Sequence, residues 1–64
     1  MRLAEYLEKD VIIEDPSGAI WNGHVSDYIE ADDNESGKES IIMDSSDGRL
    51  IEFEPSDIAT ITVA

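Results

Sequence analysis

The chain has 64 residues, enough for one domain spanning 1–64, and a domain this small buries only about 60% of the surface its unfolded chain exposes, so its margin of stability is thin. Sixteen Asp and Glu face four Lys and Arg, a formal net charge of −12; Arg2, Lys9, Lys38 and Arg49 are scattered, so the clustered cations that nucleic-acid phosphates or an anionic membrane require are missing. The absence of cysteine and the single histidine, His24, exclude disulfide staples and thiolate or multi-histidine metal centres.

Leu3, Tyr6 and Leu7 recur at i, i+3 and i+4 with Glu5 and Glu8 outside that stripe, which predicts a short amphipathic helix over residues 2–9. It is not followed by the apolar run of a secretory leader, and no stretch approaches the ~20 apolar residues that cross a bilayer, so a cytoplasmic location is expected. Val11, Ile12 and Ile13 are β-branched and predict a first strand. Asp15-Pro16-Ser17-Gly18 ends it with turn chemistry, Pro presetting φ and Gly accepting positive φ. Residues 19–29 predict a long second strand, with Trp21, Gly23 and Val25 on one face and Ile20, Asn22, His24, Ser26 and Tyr28 on the other. Gly23 in mid-strand points to a bend or a close backbone approach.

Residues 30–39 contain five acids and no large apolar side chain, which predicts a solvated loop. A third strand is expected over 40–44, a hairpin turn at Ser45-Ser46-Asp47-Gly48, and a fourth strand over 49–54. Pro55-Ser56-Asp57 predicts a 3₁₀ turn, and 58–63 a fifth strand. The sum is an all-β fold: a small, strongly bent five-stranded barrel with a short N-terminal helix. Its core should draw on Leu3, Leu7, Val11, Ile13, Val25, Tyr28, Ile42, Leu50, Phe53, Ile58 and Ile61.

Gly18, Gly23, Val25 and Tyr28 are spaced as in the first motif of the Sm-like (LSM) family, and Asp57-Ile58-Ala59-Thr60-Ile61 resembles the end of its second. The resemblance covers nearly the whole chain and implies the family's Sm/SH3-like barrel. It does not carry over the family's RNA site: Ile29 stands where an Asp is usual, Asp33 where the base-contacting Asn falls, with Asn34 one place off, and Glu54-Pro55 where the family has Arg-Gly. The resemblance also implies ring assembly, in which the fifth strand pairs with the fourth strand of a neighbour.

Three further features bear on function. Asp32, Asn34, Ser36 and Gly37 follow the first half of a calcium loop, but Met43 stands at the twelfth position, where a bidentate Glu is needed. His24 lies beside Asn22 and Ser26 on one strand face, but Asp27, its acidic neighbour in sequence, points to the other face and cannot orient it, and the paired Asp32-Asp33 lie in a solvated loop without the cleft that raises a carboxyl pKa, so an enzyme is not expected. Trp21 is a core anchor or an interface anchor, and with Asp32, Asp33 and Glu35 it forms the candidate interface. The fifth strand is uncharged from Ile58 onward and contains no proline, so Ile58, Thr60, Ile61, Thr62 and Val63 form a candidate oligomer edge. The expected function is a non-catalytic protein-interaction module without a cofactor, self-associating as a homo-oligomer. The alternatives are an acidic mimic occupying the basic groove of a nucleic-acid-binding protein, and residual RNA binding in an Sm-like ring.

Overall fold

The computed structural model describes residues 2–64. Five antiparallel strands, β1 (Asp10–Glu14), β2 (Ile20–Ile29), β3 (Ser40–Ser45), β4 (Leu50–Phe53) and β5 (Thr60–Val63), form one sheet in the order β4-β3-β2-β1-β5. The expected all-β fold of five strands is borne out. One buried cluster unites its strands: Val11 and Ile13 of β1, Val25 of β2, Ile41 and Met43 of β3 and Phe53 of β4, closed by Leu3 and Ile58. Tyr6, Trp21, Tyr28, Ile51 and Ile61 pack around it, half-buried. Among the described residues no helix is long and apolar enough to cross a membrane.

The N-terminal helix is replaced by a single 3₁₀ turn, Leu3–Tyr6. Arg2 offers no side-chain cap, and Glu8 adopts a positive φ of 64°, which a continuing helix does not allow. The chain beyond Leu7 serves the sheet instead: Glu8 N–H donates to the Val25 carbonyl at 2.8 Å and Val25 N–H to the Lys9 carbonyl at 2.9 Å. Leu3 is therefore fully buried, whereas Leu7, expected in the core, is 41% exposed.

Two devices set the register of β2. A bulge between Val25 and Asp27 restarts its pairing with β3, so that Val25 faces Met43 and Tyr28 faces Ile41. One extra residue reverses the side-chain parity, and Tyr28 comes to the core face despite lying three positions from Val25. Gly23 meets β3 so closely that a Cβ there would overlap the Asp44 carbonyl and lie 2.8 Å from Met43 Cγ. The close approach expected at this glycine is thus present. With this register Ile41 and Met43 point inward and Ile42, expected in the core, lies half-exposed. Leu50, also expected inside, is 70% exposed opposite Asp44.

The turns follow their sequences. In the β1–β2 connection Asp15 Oδ1 accepts from Ser17 N–H (2.9 Å), Ser17 Oγ–H (2.6 Å) and Ala19 N–H (3.0 Å), an Asx-type turn that closes on Gly18. The β3–β4 hairpin closes with Gly48 N–H on the Ser45 carbonyl and Gly48 at φ 88°, the left-handed conformation that Asp-Gly predicted. Pro55–Asp57 forms the expected 3₁₀ turn.

Candidate functional site

The two ends of the sheet are the outer edges of β4 and β5. Ala64 N–H donates to the Asp10 carbonyl at 2.9 Å, and the register pairs Val11 with Val63, Ile12 with Thr62, Ile13 with Ile61 and Glu14 with Thr60. In an antiparallel ladder, hydrogen-bonded pairs alternate with non-bonded ones. Thr60 and Thr62 therefore spend their backbone groups on β1, and Ile61 and Val63 direct theirs away from it. On β4, Ser45 N–H bonds the Arg49 carbonyl at 2.7 Å, so the same alternation turns the backbone groups of Leu50 and Glu52 outward. Among the described residues no backbone partner covers either row. Thr60, Thr62 and Val63 are exposed and Ile61 is half-buried. Ile58, expected both in the core and at this edge, is in the core and not at the edge: it ends the Pro55–Asp57 turn, ahead of β5, and is 6% exposed. The uncharged run from Ile58 thus divides, Ile58 ending the turn and packing in the core and Thr60–Val63 forming the edge.

Trp21 is half-buried on β2. Its indole meets the Phe53 ring edge-to-face, with centroids 6.1 Å apart at 72°. Its Nε1–H donates to Asp15 Oδ2 at 3.1 Å, and the Arg49 guanidinium lies 5.2 Å from its centroid. A groove of about 420 Å³ opens beside it, lined by Asp15, Pro16, Ser17, Trp21, Glu52, Phe53 and Asp57. Hydrogen bonds from Ser17 and Trp21 hold the Asp15 carboxyl down at about 2, so it is charged across the physiological range. Asp57 Oδ2 accepts from Glu54 N–H at 2.9 Å. The Glu52 carboxylate is engaged elsewhere, by Ser40 Oγ–H at 2.7 Å. Arg49 is paired with Asp47, at 2.6 Å from Nη2 and 2.8 Å from Nε, which lowers the Asp47 carboxyl to about 2 and raises the guanidinium's own value.

Asp32, Asp33 and Glu35, grouped with Trp21 as a candidate interface, are exposed in and after the 3₁₀ turn Ala31–Asp33, and none of them lines the Trp21 groove. Asn34 and Ser36, the polar positions of the calcium-like spacing, act as donors that tie the loop down. Asn34 Nδ2 reaches the Lys38 carbonyl (2.9 Å) and Ser40 Oγ (3.0 Å), and Ser36 Oγ–H reaches Glu54 (2.6 Å). Tyr28 O–H donates to Glu39 at 2.9 Å, and that bond raises the phenol above its ordinary value. His24 faces Asp10 across a non-hydrogen-bonded pair of β1 and β2, with Nδ1 2.9 Å from Asp10 and Nε2 3.4 Å from Glu8. Both ring nitrogens can donate to these carboxylates only when the imidazole is protonated, and its pKa is raised, by Asp10 first and Glu8 second.

Sequence reasoning missed Asp15 as the partner of Trp21 and the pairing of Trp21 with Phe53. The turn motif made Asp15 visible as a turn residue, but its second oxygen meets the indole only once β1 and β2 are paired. No family model matches this sequence, no curated protein shows significant similarity to it, and no solved structure shows a significant match.

Proposed function

We propose that this chain is a non-catalytic protein-interaction module that associates with copies of itself through the open edges of its sheet. The supporting observation is the outward row of unpaired backbone groups on β5, on a strand without charge, proline or bulge between Thr60 and Val63. Lone β-domains usually blunt such an edge with one of those devices. The opposite end of the sheet offers a complementary row at Leu50 and Glu52, with the exposed Leu50 side chain beside it. Pairing β5 of one copy with β4 of the next is the arrangement that the Sm-like resemblance implies. It would also bury apolar surface that a chain of 64 residues cannot bury by itself. Mutual repulsion of chains carrying −12 opposes association and is screened by salt.

Sedimentation velocity over a range of NaCl concentrations tests the proposal. The expected result is a mass above the monomer that grows with salt. Val63→Pro should return the protein to monomer, because the Val63 N–H points away from β1 and its loss leaves the β1–β5 ladder intact. A monomer at every salt concentration would overturn the reading.

A further inference from the structure

We propose that the groove beside Trp21 and Phe53 receives an arginine side chain from a basic segment of a partner protein. The inference rests on reading the chain as an interaction module but uses a surface separate from the β5 edge.

The groove has an aromatic floor and an acidic rim. The indole face carries negative electrostatic potential and attracts a guanidinium within about 6 Å of the centroid. This indole already does so once, with Arg49 at 5.2 Å. Arg49 is not among the residues lining the groove, so the groove is space it leaves open. Three carboxylates line the groove, Asp15, Glu52 and Asp57, of which Glu52 is held by Ser40 Oγ–H. Asp15 is committed to Ser17, Ala19 and Trp21 and supplies charge more than a free lone pair. Asp57 is exposed; one of its oxygens takes Glu54 N–H, and the other is free for a donor. Pro16 and Ser17 form the remaining wall, and at about 420 Å³ the groove falls in the range of sites that take a small ligand or one large side chain.

These features select among occupants. An anion would meet Asp15 and Asp57 on a chain of net charge −12. A bare metal ion would find the lone pairs of Asp15 already directed at N–H and O–H donors. An uncharged apolar group would fill the aromatic floor but leave the acidic rim without a counterpart. A guanidinium satisfies both, stacking its plane on the ring while its edge donates to the carboxylates. A lysine ammonium matches the charge but not the plane.

Trp21 is the chain's single tryptophan, so its fluorescence reports the groove directly. The probe is an amide-capped decapeptide of alternating Arg and Gly, titrated at about 0.15 M NaCl, where surface charges are partly screened. The expected result is a saturable change in Trp21 emission, with the matching Lys-Gly peptide binding at least roughly threefold more weakly. Asp57→Asn should weaken the Arg peptide by roughly fivefold or more. The double variant Asp32→Asn/Asp33→Asn removes twice that charge outside the groove and should leave affinity within about twofold. Should Asp57→Asn disturb the fold by circular dichroism, Pro16→Arg at the exposed groove wall serves as the second variant and should abolish the response. No saturable response would overturn the proposal. Equal binding of both peptides, or an equal loss in the Asp32/Asp33 variant, would also overturn it by reducing the effect to bulk charge. Sedimentation of the same samples separates this failure from failure of the self-association reading, since Val63→Pro does not touch the groove.

Discussion

Asp15 binds four donors through its two oxygens: three around its own turn and one from Trp21 on the next strand. Its carboxyl therefore titrates near 2 rather than at the ordinary 3.8, and Asp47, held by Arg49 and Ser45, does the same. A depressed folded value means that these bonds stabilise the fold fully above the unfolded pKa, and that the contribution is lost as the pH falls from about 4 through about 2. Asp15→Asn should lower the melting temperature at neutral pH and flatten the acid side of the stability curve in that window, measurable by thermal melts between about pH 2 and 7. His24 works in the opposite sense. Its folded pKa is raised above 6.5, first by Asp10, so its contribution is complete below the unfolded pKa and is lost as pH rises through the folded value. NMR titration of the imidazole should show a pKa above the ordinary value, and Asp10→Asn should bring it back toward 6.5; a normal value in the parent chain would contradict the geometry. The sequence made His24 visible as a strand residue with Asp27 as its neighbour. Its actual partners, Asp10 and Glu8, are fourteen and sixteen positions away and are brought close only by the β1–β2 register.

At the scale of elements, the start of the chain separates two readings of one pattern. Leu3, Tyr6 and Leu7 fit a helical stripe, yet the structure buries Leu3 and leaves Leu7 41% exposed. Leu3→Ala should therefore cost about 3 kcal/mol, the usual range for a fully buried leucine, and Leu7→Ala less than about 1 kcal/mol. Equal costs in urea unfolding would favour the helix. The second test is Gly23. A methyl group there meets the Asp44 backbone carbonyl, which cannot swing aside as a side chain could, so Gly23→Ala should destabilise the fold by about 2–3 kcal/mol through separation of β2 from β3. Gly37, with open space around its Cα but a φ of 74°, should lose only about 1 kcal/mol on the same change. Turn chemistry was legible because it is local: Asp-Gly at the hairpin and Pro55 at the 3₁₀ turn act through their own φ angles. The bulge between Val25 and Asp27 was not legible, and it moved Tyr28 to the core face.

For the whole molecule the controlling term is charge. Four basic residues cannot neutralise sixteen acids, and Arg49 and His24 are already engaged by Asp47, Asp10 and Glu8. Compaction forces the remaining carboxylates together, so added NaCl should raise the melting temperature at neutral pH by screening them; an unchanged or lower value would contradict this. The same charge disfavours bare RNA, and oligo-U at physiological salt should show no measurable binding. Composition alone supports both expectations, because a sum of charges does not depend on how the chain folds. The sequence likewise determined the strands, their order along the chain and the chemistry of each turn, since β-branched runs and Asp-Pro-Ser-Gly or Asp-Gly segments act over a few residues. Only the tertiary structure decided which of Ile41 and Ile42 is inside, whether Ile58 is edge or core, and that Asp15, Trp21, Phe53 and Asp57 share one groove. Those outcomes depend on register. A shift of one residue in a strand exchanges its two faces, and the bulge and the close contact at Gly23 that fix the register exist only once distant strands have met.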